Sequence, residues 1–120
     1  MISMKQLPDA YATDIKTLQS IGPALLFVHV TWCSYCRAAM PMLEKVAAML
    51  GSAVPTYKID ADEMPQIAKA LDVKSFPTIF YISRHGIHKF EAERTPDNIA
   101  GFVCQHATGE GTYEFCTSLL

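Results

Sequence analysis

The sequence predicts a single α/β domain over residues 1–120, a three-layer sandwich with a mixed central sheet flanked by helices. Three observations carry this. "ALLFVHV", Ala24 to Val30, is the short, continuously apolar run that a central strand needs when both its faces are covered. From Cys33 to Leu50 apolar residues recur at helical spacing. Helix and strand patterns then alternate until two adjoining β-rich runs precede a last helical stretch.

Tyr11, Ile15 and Leu18 are spaced as one helix face, which predicts a first helix over Asp9 to Ser20, stopped by Gly22-Pro23. After the Ala24–Val30 strand, Cys36, Met40, Leu43, Ala47 and Leu50 share a face of a long helix. Gly51 lies just past its end, and Pro41 is expected to kink it. "AVPTYKID", Ala53 to Asp60, reads as the next strand. "MPQIAKAL" follows as a helix with Pro65 in its first turn and Ile67, Ala68 and Leu71 facing inward. "PTIFYIS" from Pro77 and "IHKFE" flank "RHG", which predicts an antiparallel hairpin with that tripeptide as its loop. Thr95-Pro96 supplies the cap and first position of a last helix, in which Ile99, Phe102, Val103 and His106 share a face until Gly109. The tail, residues 108–120, is expected to be irregular.

A chain of 120 residues buries enough surface to fold without staples, and 50% hydrophobic with 18% charged residues excludes a disordered chain. A net charge of −2 gives no electrostatic reason to expect nucleic acid or an anionic membrane as partner. "MISMKQLPDAYATD" lacks the basic and apolar regions of a signal peptide, and no apolar run reaches the ~20 residues of a membrane span. The expected compartment is therefore cytoplasmic, where a C-x-x-C pair is metal-binding or catalytic rather than structural.

That pair lies in "TWCSYC", directly after the apolar strand. At a helix start, residues three apart put their Cβ atoms ~5–6 Å apart on one face, close enough to exchange dithiol for disulfide. Cys33, at the helix N-terminus, points its sulfur at unpaired N–H groups that favour a thiolate, so it is the expected nucleophile. Cys36, one turn deeper on the apolar face, is the expected resolving thiol. Trp32 and Tyr35 are candidates for the contact surface beside the nucleophile. Zinc needs four N or S ligands, and outside the pair only Cys104, Cys116, His85 and His88 offer them, with no second C-x-x-C. No metal is expected, and Cys104 and Cys116 read as incidental thiols rather than halves of a disulfide.

Four features in order, Trp32-Cys33-Ser34-Tyr35-Cys36 after an apolar strand, Pro41 five residues later, "YKIDAD" and Phe76-Pro77-Thr78, resemble the thioredoxin and protein disulfide isomerase superfamily. The likeness runs from about Leu25 to His106. It implies a thioredoxin-like fold and a thiol–disulfide oxidoreductase that transfers electrons to or from protein disulfides, with no bound cofactor and an unidentified reductase or oxidase as redox partner. It implies further that Pro77 is a cis-proline. The backbone at Phe76 and Pro77 then pairs with an extended substrate segment, and Trp32, Ser34 and Tyr35 complete the substrate surface. Two positions depart from the pattern. Phe27 stands where relatives carry a buried acid, so His29, two residues on, is either a proton relay for Cys36 or a filler of core space. The Ser34-Tyr35 insert is closer to glutaredoxins, but the chain has neither their Thr-Val-Pro nor their Gly-Gly. The alternatives are a non-catalytic module that holds a peptide or partner at Trp32, Phe76 and Pro77, and a glutathione-dependent enzyme.

Overall fold

The computed structural model describes residues 7–107 and 115–116. Along them run α1 (Ile15–Ile21), β1 (Ala24–His29), α2 (Ser34–Leu50), β2 (Thr56–Asp60), α3 (Pro65–Ala70), β3 (Thr78–Ser83), β4 (Gly86–Lys89) and α4 (Pro96–His106). The strands form one mixed sheet in the order β2-β1-β3-β4, flanked by the helices. β1 and β2 are parallel, and the other two pairings are antiparallel. Every residue of β1 is buried, which explains why its sequence lacks the polar alternation of a half-exposed strand. Two parallel neighbours need a crossover, and α2 provides it. The turn into α2 therefore falls at the C-terminal end of the central strand, where the cysteines are.

The first helix is shorter than its spacing suggests. It begins at Ile15, where the Asp14 carboxylate accepts from the Thr17 N–H at 2.7 Å. Upstream the chain is extended beside β2: the Ala10 N–H donates to Lys58 O and the Lys58 N–H to Pro8 O, both at 2.9 Å. The predicted helical start at Asp9 is thus corrected, and the reason is tertiary. The outer edge of β2 would otherwise carry unpaired backbone groups. Leu7 and Ala10 are buried there while Tyr11 turns outward. The same segment closes over Lys58, whose ammonium donates to Leu7 O at 2.9 Å and Asp9 Oδ1 at 2.8 Å. A buried cation without such partners would be costly.

α1 ends at Gly22, where a Cβ would come within 2.5 Å of Ile82 O on β3. Only glycine lets the connection into β1 pass that close. Cys36, Met40, Leu43, Glu44, Val46 and Leu50 are the buried residues of α2, which runs through Pro41 to Leu50. Gly51 caps it at φ 62°, and its N–H donates to Ala47 O at 2.9 Å. Pairing of Ser83 with Gly86 shortens the hairpin loop to Arg84-His85, so the glycine of "RHG" belongs to the ladder.

Thr95 caps α4 by accepting from the Asn98 N–H at 3.1 Å, and the helix ends at His106. The expected end at Gly109 and most of the expected irregular tail lie outside the described residues. Phe115 and Cys116 are helical, so the expectation of irregular tail structure does not hold there. Nor are Cys104 and Cys116 incidental thiols: they are joined in a disulfide across a Cα–Cα distance of 5.6 Å. Phe115 packs against the core and brings its neighbour back to α4, a return that residue spacing could not announce. Among the described residues no helix is long and apolar enough to cross a membrane.

Candidate active site

Cys33 occupies the N-cap position of α2, a place usually held by Ser, Thr, Asp or Asn. Its extended backbone, φ −90° and ψ 112°, turns the sulfur back over the helix start. There Sγ accepts the Cys36 N–H at 3.1 Å. In that place the sulfur takes up a helix-start N–H that would otherwise lack a partner. Both cysteines are free thiols, Cys33 7% exposed and Cys36 wholly buried. Burial, and secondarily the hydrogen bond with Cys33, pushes the Cys36 thiol up to about 12, while the Val30 backbone and, more weakly, Arg94 pull the other way. The two sulfurs are therefore chemically unequal, one slightly exposed with a donor aimed at it and one wholly buried and held protonated.

Around the pair stand the other residues singled out from the sequence. Trp32 is 68% exposed, its indole N–H donates to Asp62 Oδ2 at 2.9 Å, and its ring meets Phe76 edge-on at 6.2 Å. Ser34 and Tyr35 are exposed in the first turn of α2. The Phe76–Pro77 peptide is cis. The β1–β3 ladder ends at the Val28–Thr78 pair, so Phe76 and Pro77 lie beyond it at the level of the cysteines. Thr78 Oγ1 donates to Ser75 O at 2.6 Å and fixes that turn. Pro77 itself is buried, and its carbonyl accepts from Arg94 Nη2 at 3.1 Å.

His29 is 3% exposed and stacks on Phe27 with ring centroids 5.9 Å apart. Neither of its ring nitrogens has a hydrogen-bond partner among the described residues. Burial pushes its imidazole below the ordinary range, against the pull of Asp60 and with the push of Lys58. The charges acting on His29 thus come from β2 and Asp9, whereas those acting on Cys36 are Cys33 and Arg94. The structure puts the histidine at the end of the strand that leads to the pair and gives Arg94 the electrostatic link to Cys36. Arg94 and Asp62 were not singled out from the sequence. Asp62 closes "YKIDAD" and could have been noticed as a polar residue just past a strand; Arg94 precedes the Thr95-Pro96 cap with nothing local to mark it. Among the described residues no group of three or more His, Cys, Asp or Glu could hold a metal ion.

Residues 4–105 match the family model described as thioredoxin. The chain is 38% identical over 77 residues to a thioredoxin of Rhodospirillum rubrum, covering 63% of this chain and 72% of that one. It is 33% identical over 64 residues to a thioredoxin of Borreliella burgdorferi, where the match covers 53% of this chain and 55% of the relative. Among solved structures, the first thioredoxin domain of mouse protein disulfide-isomerase A4 superposes with a TM-score of 0.64 at 27% identity, over 75% of this chain and 66% of that one. The matched region thus spans little more than half of the Borreliella burgdorferi relative. With the mixed four-stranded sheet, the Cys33-Ser34-Tyr35-Cys36 motif at the mouth of its crossover helix and a family match over most of its length, the chain belongs to the thioredoxin family.

Proposed function

We propose that this protein is a thiol–disulfide oxidoreductase that exchanges its Cys33/Cys36 dithiol with disulfides of other proteins. Cys33 attacks one sulfur of the target disulfide and the other leaves as a thiolate. Cys36 then gives up its proton and attacks Cys33 Sγ, releasing the reduced target and leaving Cys33–Cys36 oxidised. The observation that carries this reading is the inequality of the two sulfurs: Cys33 Sγ accepts an N–H at 3.1 Å near the surface, while Cys36 is wholly buried with its thiol held up to about 12. Phe76, next to the cis Pro77 and beyond the end of the β1–β3 ladder, supports pairing with an extended target segment, with Trp32, Ser34 and Tyr35 as its flanks. A reductase that docks on the same face returns two electrons to the Cys33–Cys36 disulfide; if exchange runs the other way, an oxidase takes them from the dithiol. His29 stays either a proton relay for Cys36 or a filler of core space, and Arg94 weakly favours the Cys36 thiolate.

The test is the behaviour of two serine variants toward an oxidised protein such as insulin. Cys33→Ser is expected to lose activity and form no adduct, whereas Cys36→Ser accumulates a target-linked species through Cys33 that dithiothreitol releases. Equal adducts from both variants, or adducts from Cys33→Ser alone, would overturn the assigned roles.

We place this activity in the cytoplasm, where a reducing thiol pool can recharge a working dithiol. Fractionation of cells expressing the protein reads the compartment, and recovery in a secreted or membrane-enclosed oxidising fraction would overturn this placement.

A further inference from the structure

The large hydrophobic side chains exposed among the described residues are Tyr11 (64%), Trp32 (68%) and Tyr35 (75%), and all of them lie on the edge of the molecule that carries the thiols. The backbone sets this. Ala10 donates to Lys58 O at 2.9 Å, so Tyr11 stands level with the C-terminal end of β2, and Trp32 reaches the following loop through Asp62 at 2.9 Å. Tyr35 projects from the first turn of α2. Exposed aromatics gathered at one edge mark a surface that docks a partner.

Between Tyr11 and Trp32 the chain supplies Asp60, Asp62 and Glu63. Asp60 holds this loop in place, accepting the Asp62 N–H on its carboxylate at 2.9 Å and the Glu63 N–H on its carbonyl at 3.2 Å. Asp9 is matched by Lys58 at 2.8 Å, but no ion pair among the described residues involves Asp60, Asp62 or Glu63. Beneath them lies His29, paired in register with Asp60 and with both ring nitrogens lacking partners. Its burial disfavours the imidazolium, so it does not offset the carboxylates from below. The tyrosine hydroxyl registers the same field: Asp9, then Glu63, with Asp60 contributing less, hold the Tyr11 phenol above its ordinary range. The cations nearest the thiols are bound to backbone carbonyls rather than to these carboxylates: Arg37 donates to Thr31 O at 2.9 Å and Arg94 to Pro77 O at 3.1 Å.

An occupant of the β2 side has to match three carboxylates that lack a cation among the described residues, and two aromatic faces, at once. A lysine or arginine does so, by charge-assisted hydrogen bonds and by lying over the rings. We infer that Tyr11, Trp32, Asp60, Asp62 and Glu63 form a docking surface for basic segments, so that target disulfides flanked on that side by Lys or Arg are exchanged in preference to others. The inference rests on the proposed exchange of Cys33 with protein disulfides.

Two synthetic disulfide peptides, identical except for Lys-Lys or Glu-Glu beside the target cysteine, test it in the full-length protein. The expected kcat/KM favours the lysine peptide by on the order of tenfold at low salt, and the preference shrinks as salt is raised. In Asp62→Asn/Glu63→Gln, and to a smaller extent in Glu63→Gln alone, the ratio falls toward unity. Equal kcat/KM for the two peptides in the wild type, a preference for the acidic one, or a lysine preference unchanged in both variants overturns the inference. If neither peptide is reduced, the oxidoreductase reading fails, and the inference fails with it.

Discussion

Replacing both Cys104 and Cys116 by serine measures what the second disulfide contributes, provided Cys33 and Cys36 are serine throughout so that a reductant acts on nothing else. The bridge joins residues 12 apart in sequence. Closing a loop of that length removes unfolded-chain entropy equivalent to about 3 kcal/mol at 25 °C. Unfolding entropy of about 2.1 cal/mol/K per residue comes to roughly 0.25 kcal/mol/K for a chain of 120 residues, so the midpoint falls by roughly 10 °C. Both cysteines are only half-buried, so the serine side chains themselves add little. Scanning calorimetry with and without dithiothreitol gives the answer. The Cys33→Ser/Cys36→Ser parent is expected to lose about 10 °C on reduction. The variant lacking all four cysteines starts at the reduced parent's midpoint and ignores reductant. A parent indifferent to dithiothreitol would refute the reasoning, because the bridge would then constrain a segment that costs the unfolded chain nothing.

His29, its imidazole depressed by burial, contributes stability that is present above the unfolded value of 6.5 and is lost as pH falls through the lower folded value. His29→Phe should therefore reduce the drop in urea midpoint between about pH 7.5 and about pH 5; an unchanged drop would assign the acid sensitivity elsewhere. Cys36, raised from 9.0 to about 12, contributes stability that is present below the unfolded value and lost as pH climbs toward the folded one. In Cys33→Ser at neutral pH, iodoacetamide is expected to modify Cys36 at least ~10²-fold more slowly in the folded protein than in urea, and comparable rates would show a thiol far less shielded. Arg94→Gln removes the cation that draws Cys36 toward the thiolate. Because the guanidinium is exposed, the mixed disulfide is expected to live at most about fivefold longer in single-turnover experiments, and an unaltered lifetime would dismiss that influence.

What could be read in the sequence was local. β1 and α2 announced themselves through an unbroken apolar run and a sustained helical stripe, and with them came the placement of Cys33 at a helix start and Cys36 on its buried face. Errors arose where a distant element decided. Tyr11, Ile15 and Leu18 have the spacing of a helix, yet the unpaired edge of β2 drew residues 8–10 into an extended partner. The glycine of "RHG" has loop chemistry, but cross-strand pairing with Ser83 absorbed it into β4. Cys104 and Cys116 carried no mark of partnership, because their meeting depends on where Phe115 packs. Arg94 was invisible for the same reason: its link to Pro77 joins positions seventeen apart in sequence, at either end of the β3–β4 hairpin.

The extended residues beside β2 also bear on how the protein behaves at high concentration. A bare outer strand invites a second molecule to add its own, and strand-by-strand growth of that kind leads to aggregates. Here Pro8 to Ala10 bridge to Lys58 in the middle of β2, and a proline, which cannot donate to a further strand, stands at the first of these positions. At the other margin β4 is only four residues long and ends on Lys89, a short and charged edge that discourages pairing. A shortened chain beginning at Ala12 would keep both thiols and most of the core, but it would bare β2 and remove the acceptors of Lys58. Such a chain is expected to self-associate at concentrations where the full chain stays monomeric, which makes residues 7–10 a guard on solubility as much as a part of the fold.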